Sequence, residues 1–391
     1  MVRDISKRLS ERAVTGVKNF WFGQSARYYT ILVIVTLLTV FGLIMVLSSS
    51  SIESIKAGNS GFATFFKQSF FAIIGLTLMV ALSRLHFSRL RQYILVVFGG
   101  SIALQVATVT FLGYSVNGNR NWINVFGFSV QPSEIIKLTM ILYLADYLAH
   151  REEEKEFRQT WVNPFVVGIV AIGSVLAGKD LGTAMVMVAI LVGVLTFAGL
   201  PRVWFWRFTG GLAVLGWWAL NQGGSRMERI NAWLHPDWPD PNQLNWQQDH
   251  AVWAFASGGI TGTGLGNSQL KWSWIPFSEN DFIFAIIGEE GGLIFALVIV
   301  ALFVWLTYSL LFSSESSVDP FSRYLILGVM LWIGVQASIN IAVVLGLLPV
   351  LGVPLPLMSA GGSSLIMLLS AVGFVLGAER QFGASNLRRS R

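Results

Sequence analysis

Long apolar runs separated by short polar stretches dominate this chain. Runs of the ~20 residues needed to cross a bilayer begin near Thr30, Phe66, Tyr93, Ser133, Pro164, Leu181, Val203, Phe282, Tyr324 and Ser363. They predict an all-α polytopic membrane protein with about ten transmembrane helices; the runs at Phe66, Val203 and Ser363 are short or flanked by polar residues. Most connections are short. The exception is one large extracytoplasmic loop between spans 7 and 8, residues 221–281, which carries six of the fifteen Trp. Loops beyond ~12–15 residues are usually functional or disordered, and this one is too aromatic and apolar for disorder. With the glycine series from Ser257 to Ser268, its tryptophans predict an ordered cap on the membrane surface, the plainer reading of each Trp being an interfacial belt. The glycine series lacks the strand–helix frame of a nucleotide-binding fingerprint.

The run from Gly346 to Ser364 departs from helix. Pro349, Pro354 and Pro356, with repeated glycines, forbid a continuous helix there. Unpaired backbone at membrane depth is tolerated only against protein or a polar cavity, so the run predicts a broken or re-entrant segment beside a cavity, with Ser359, Gly361 and Gly362 shaping it.

Charge then orients the chain. If the first span runs outward, 19 of the 27 Lys and Arg fall in the two termini and in the loops near residues 84–91, 150–160, 200–207 and 312–323. That positive-inside bias puts both termini in the cytoplasm. The expected organisation is a basic N-terminal tail over 1–29, a membrane domain over 30–378 and a basic C-terminal tail over 379–391. The first 29 residues lack the apolar core and cleavage site of a signal peptide, which favours a cytoplasmic tail. Topology accounts for most of the net charge of +6, so no nucleic acid is needed to explain it. At 54% hydrophobic and 12% charged, with mean hydropathy +0.62, the composition excludes a soluble domain. The absence of Cys removes disulfides and thiolate metal sites, and four His divided between the two faces make a His-rich metal site improbable.

Against that apolar background the ionisable residues stand out, because each costs at least ~2.5–3.5 kcal/mol at a helix centre and is kept for use. Asp281 opens one span, and Glu289 and Glu290 follow within it. Pro132 and Ser133 suit a helix start, and Glu134 and Lys137 then lie three apart on one face, as a buried structural ion pair or as catalytic groups. Lys179 and Asp180 begin another span, where a structural pair and a site for an anionic headgroup are both open readings.

Together these motifs resemble the SEDS family (shape, elongation, division and sporulation), the polytopic peptidoglycan glycosyltransferases that include FtsW and RodA. The resemblance covers roughly Tyr28 to Ala378. It rests on Gly-Leu-Ile-Met-Val-Leu-Ser-Ser-Ser from Gly42, Gln131 to Lys137, Asp180-Leu181-Gly182-Thr183, the glycine series to Lys271, Asp281 to Glu290 and Pro354 to Ser364. The basic N-terminal extension, the Ser-rich end of the first span, the Arg120-x-Trp122 spacing and Gly-Gly-Ser-Ser at Ser364 resemble the division (FtsW-like) branch, the elongation (RodA-like) branch being the alternative. Lys179 replaces a common Pro, Ala360 a common Tyr and Glu279-Asn280 a common His-Thr, and His250 lies where Gln is frequent.

The resemblance implies polymerisation of lipid II, a disaccharide-pentapeptide on undecaprenyl pyrophosphate, by inverting glycosyl transfer. Asp281, matching the family's essential Asp, would be the general base. Arg120, Lys137 and Lys271, then Arg226 and Arg229, are the candidate cations for the departing pyrophosphate, with Asp180 beside the substrate. Glu134, Glu289 and Glu290 are expected as structural or pocket-shaping groups. No cofactor is certain; a divalent cation such as Mg or Mn could share the cationic task, although no ligand set is visible. The implied partners are a class B penicillin-binding protein and other division proteins, at the septum of a bacterial cytoplasmic membrane. A flippase for the lipid-linked precursor is the main rival, and a recruiting scaffold a third reading.

Overall fold

A computed structural model of the chain describes residues 25–389, apart from 117–118, 126, 155–160, 222–223, 237–243, 273 and 276–277. Most of the expected N-terminal tail therefore lies outside the described residues. The helices are α1 Ala26–Lys56, α2 Ala63–Leu82, α3 Phe87–Arg91, α4 Ile94–Ala107 (continued by a π turn, Thr108–Leu112), α5 Pro132–Glu154, α6 Val162–Ala177, α7 Leu181–Phe197, α8 Arg202–Asn221, α9 Gly224–Leu234, α10 Trp246–Gly258, α11 Ile283–Ser316, α12 Pro320–Val344 and α13 Gly362–Arg389. Each apolar run of the sequence lies in one of them. Among the described residues, six helices can cross a membrane by length and composition: α1, α2, α4 with its π turn, α11, α12 and α13; α6 and α7 are apolar but shorter.

Among the described residues, strands form at one place. Strands β1 Tyr114–Val116, β2 Asn119–Val125 and β3 Phe128–Val130 form an antiparallel sheet in the order β1-β2-β3. The β-branched and aromatic residues Val116, Trp122, Ile123, Val125 and Phe128 suit strands, but three short strands leave too brief an alternation to read from sequence. The sheet holds Arg120 and Trp122 above the bundle rather than on a flexible loop.

The helical axis of the molecule is α12 and α13, whose apolar windows are 61% and 72% buried against 28% for α2 and α4. The outer helices turn Leu95 and Val96 of α4, Val203 and Trp206 of α8, and Val304 and Trp305 of α11 outward, a surface that lipid tails would cover. Helix starts follow ordinary capping chemistry. Ser25 accepts from Tyr28 N at 3.1 Å ahead of α1, and Asp319 accepts from Ser322 N at 3.0 Å with Pro320 opening α12. The Ser25 hydroxyl also donates to the buried carboxylate of Glu379 on α13 at 2.8 Å, and Ser313 of α11 donates to its other oxygen. The start of the first helix, the last turns of α11 and the latter part of α13 are thus tied at one point.

Two interruptions shape the opposite end. Within α11, Gly292 takes φ 67 and ψ −173, dividing the helix into an upper arm and a long lower arm. The backbone groups freed there find partners in the loop after α10. Leu293 N donates to Gly259 O at 2.9 Å and Ile294 N to Ile260 O at 3.2 Å, while Thr263 N and Gly264 N donate to Glu289 O and Glu290 O at 3.0 Å each. A Cβ on Gly292 would collide with the Gly262 nitrogen, and one on Gly262 with the Glu290 carbonyl. The second interruption is residues 345–361, where no helix forms and Val353, Leu355, Leu357 and Met358 are nevertheless buried.

Gly292→Ala should be costly on both counts, by about 2–4 kcal/mol from the left-handed backbone and overpacking together. The check is a lowered thermal midpoint of the purified protein; an unchanged midpoint would mean that the kink is not held as described.

Candidate active site

The site is assembled where the broken segment 345–361 meets the residues just before α11. Three successive residues there are fixed through their backbone. Ala360 N donates to Glu279 O at 2.8 Å, the Ser359 hydroxyl to Asn280 O at 2.6 Å, and Asn340 Nδ2 to Asp281 O at 2.7 Å. The same Asn340 nitrogen donates to Val353 O at 2.7 Å, and Gln336, one turn earlier on α12, donates from Nε2 to Pro354 O at 2.9 Å. Gln68 of α2 closes the corner, giving Nε2 to Ser359 O and taking Gly361 N on Oε1, both at 3.2 Å. Gly362 lets this corner fit, since a Cβ there would enter the Phe71 ring, whereas Gly361 has room for one.

The partly buried Asp281 carboxylate sits over Gly352, its Oδ2 3.6 Å from where a Cβ of that residue would be. Burial pushes the carboxyl up to about 6, the negative Asp180 adds to the shift, and Arg229 opposes it. Asp180 caps α7 through Thr183 N at 3.0 Å and accepts from Gln131 Nε2 at 2.8 Å, so its charge is fixed in place. Burial also lifts Glu279 to about 7; its own backbone N–H opposes, while Glu53, which shares a carboxyl hydrogen bond with it, and Asp281 add to the rise. The edge of the site therefore carries two carboxyl groups, Asp281 and Glu279, whose ionisation is displaced toward neutral pH.

The cations separate into two groups. Lys137 is buried, with Nζ 2.8 Å from Glu134 Oε1, 3.1 Å from Gln336 Oε1, and 4.7 Å from the Trp332 ring centroid. Lys271 is buried as well, donating to Gly266 O at 2.6 Å, Glu290 Oε1 at 3.1 Å and Ser48 Oγ at 3.2 Å. Expected as pyrophosphate ligands, both have their ammonium donors taken up inside the protein, because at this depth an unpaired cation is far costlier than a paired one. Lys137 acts through Gln336 on the segment that carries the site. Glu289 accepts from Ser268 Oγ at 2.5 Å and Gln269 N at 2.8 Å, so Glu289 and Glu290 together fasten the loop 266–271 to the upper arm of α11. Arg120 and Arg229 are exposed. Arg120 is anchored by its Nε to Gly113 O at 3.1 Å and by its backbone N to Gly178 O at 3.0 Å, and Arg229 stands on α9 within electrostatic reach of Asp281. Arg226 shares α9, but its side chain lies outside the described residues. Among the described residues no three of His, Asp and Glu come together to hold a metal ion.

Asn340, Gln336 and Gln68 were not among the residues singled out in the sequence. Gln336 and Asn340 lie four apart in an otherwise apolar run, on one face of α12, and that spacing is the one signal that could have marked them.

Residues 28–382 match the FtsW/RodA/SpoVE family of cell cycle proteins. The probable peptidoglycan glycosyltransferase FtsW of Mycobacterium tuberculosis is 38% identical over 363 residues, covering 92% of this chain and 69% of the relative. The protein of the same description from Geobacter metallireducens is 36% identical over 352 residues, 88% and 92% of the two chains. Among solved structures, a chain from a peptidoglycan synthase complex, described for coordination of polymerization and crosslinking, superimposes with TM-score 0.76 at 26% identity over 92% of this chain and 99% of that one. The rod shape determining protein RodA of Thermus thermophilus superimposes with TM-score 0.68 at 24% identity over 92% and 98%, which shows a shared fold.

The buried ion pair makes a testable case. Lys137→Met alone should destabilise by about 3–5 kcal/mol, because Glu134 is left charged and unpaired, whereas Lys137→Met with Glu134→Leu should recover most of that loss. Thermal midpoints of the two variants decide it; equal losses would show that the pair is solvated.

Proposed function

The chain belongs to the FtsW/RodA/SpoVE family of cell cycle proteins, and from that premise we propose that it is a peptidoglycan glycosyltransferase that polymerises lipid II, with Asp281 as the general base. The observation that carries the reading is the backbone clamp on Glu279, Asn280 and Asp281. It fixes one carboxylate, with an ionisation near pH 6, at the end of a membrane bundle where a lipid-bound sugar can reach it. A base titrating just below neutral pH is both available and reasonably strong.

The reaction follows from these groups. The acceptor hydroxyl attacks the anomeric carbon of the donor, its proton passes to an Asp281 oxygen, and the bond from that carbon to the pyrophosphate oxygen breaks with inversion. The departing pyrophosphate takes the bonding electrons as anionic charge, for which Arg120 and Arg229 are the candidate counter-charges. A pyrophosphate leaves without protonation, so a paired general acid of the glycosidase kind is unnecessary.

The basic end of the bundle, with Arg84, Arg89, Arg91, Arg151 and Arg323, supports a cytoplasmic placement for the tails and an outward-facing site. The ten helices that carry the apolar runs of the sequence are read as spans. The FtsW-named relatives support the division branch and a septal location. The likeness to a chain of a peptidoglycan synthase complex supports a crosslinking partner of the class B penicillin-binding type.

The test is purified protein with its partner and lipid II in detergent. Glycan chains are expected; a flippase would leave the substrate unpolymerised. Asp281→Asn should lower the rate by about 10²–10⁴-fold with normal folding, and retention of near-normal rate would remove Asp281 from the role. Because the base form is required and its carboxyl titrates at about 6, the rate should be full above that pH and decline as pH falls through it. A rate flat between pH 5 and 7 would contradict the assignment.

A further inference from the structure

Helix α1 touches the site region along one side of its length. At Gly42 it lies so close to Leu357 and Met358 that a Cβ would strike their backbone. Further along, the Ser48 hydroxyl donates to Glu290 Oε1 at 2.6 Å. In the last turn of α1, Glu53 shares a carboxyl hydrogen bond with Glu279. Ser54, the next residue, meets Thr64 Oγ1 at 3.1 Å near the start of α2, so this end of α1 is fixed.

Glu279 is held from the other side by its backbone. Its carbonyl accepts from Ala360 N at 2.8 Å, the first of the three bonds that clamp Glu279, Asn280 and Asp281. Its Oε2 is shut away from solvent and meets no N–H or O–H donor among the described residues. Two ionised carboxylates can only accept, so the contact with Glu53 needs one proton shared between them. The charged groups acting on Glu279 are Glu53 and Asp281, both acidic. The segment 345–361 carries no titratable side chain, and Gln68 of α2 and Asn340 of α12 are neutral. Glu53 is exposed, so the pair exchanges its proton with solvent.

We propose that Glu53 is a positioning residue for the general base: by sharing a proton with Glu279 it holds the residues that lead into Asp281, and ionisation of the pair releases them. The inference rests on the reading of Asp281 as the base. Burial first, and then the neighbouring acids, keep the Glu279 carboxyl protonated up to about 7, while Asp281 ionises at about 6. A window thus exists in which the base is ionised and the pair still holds its proton. Above it, two like charges in contact repel, and the joint between α1 and residues 279–281 opens.

Asp281 alone leaves the rate full at alkaline pH; the pair adds a second limb. The wild-type rate should fall about 10- to 100-fold as pH rises through about 7 toward 9, the cost of a misplaced reacting group. In Glu53→Gln the amide donates to an ionised Glu279 and no proton is needed, so this limb should vanish while the acid limb stays. Glu53→Ala offers no donor, and its kcat should be low at every pH with KM for lipid II little changed. Thermal midpoints read the shared proton without turnover. A carboxyl raised by folding from 4.5 to about 7 contributes stability that is complete below about 4.5 and lost as pH rises to about 7. Over that range the wild-type midpoint should therefore fall more steeply than that of Glu53→Gln, Asp281 contributing equally to both. Equal slopes, or an alkaline limb that survives in Glu53→Gln or is missing from wild type, would overturn the proposal. An acid limb missing from both proteins would instead count against Asp281 as the base.

Discussion

Backbone that is not helical must find hydrogen-bond partners when it is buried among apolar helices, and the rest of this structure depends on how that demand is met. The segment 345–361 forms no helix and has few backbone bonds of its own, Ser359 N to Leu355 O at 3.1 Å being one, and each carbonyl it leaves unpaired would cost several kcal/mol in a lipid-like interior. Side chains of neighbouring helices supply the donors: Gln336 and Asn340 from α12, Gln68 from α2 and Gln248 from α10, whose Nε2 reaches Leu348 O at 2.7 Å. The same amide that satisfies Val353 also satisfies Asp281. The proposed base is therefore positioned by the network that makes the break in the helix tolerable, and the two cannot be altered independently.

The second break repeats the solution with backbone instead of side chains. At Gly292 the loop after α10 adds its own carbonyls and amides to the freed ends of α11, and Lys271, Ser268 and Ser48 gather the two glutamates into the same joint. Buried acids are retained here because each has an ammonium, a hydroxyl or a backbone N–H beside it. The acids that looked alike in sequence differ in surroundings. Glu289 and Glu290 are bound by neighbours that hold a loop, whereas Asp281 has its backbone held and its carboxylate left partly open.

Much of the architecture was legible in the chain because one-dimensional signals suffice for it. Apolar run length marks helices, Pro349, Pro354 and Pro356 mark a break, and Lys and Arg mark one end of the bundle. What stayed hidden depends on partners distant in sequence. The sheet over residues 114–130 is held by pairing between strands too short to alternate visibly. The burial of Lys137 and Lys271 is set by Gln336, nearly two hundred positions from the first, and by Glu290. Asn340 looks like a stray polar residue until Asp281 and Val353 are placed beside it, and Glu53 looks like an ordinary surface acid until Glu279 is placed beside it.

The tie at Glu379 has a consequence for the way the chain could be rewired. Ser25 at the head of the first helix and Glu379 near the end of the last share one hydrogen bond, so the two tails leave the bundle from neighbouring points. A molecule that grips one tail is held at high effective concentration for the other, so weak contacts to each would add as a bivalent attachment. The same proximity makes the protein a natural subject for circular permutation: old ends joined by a short linker and new ends opened in an exposed loop would preserve every contact that builds the site.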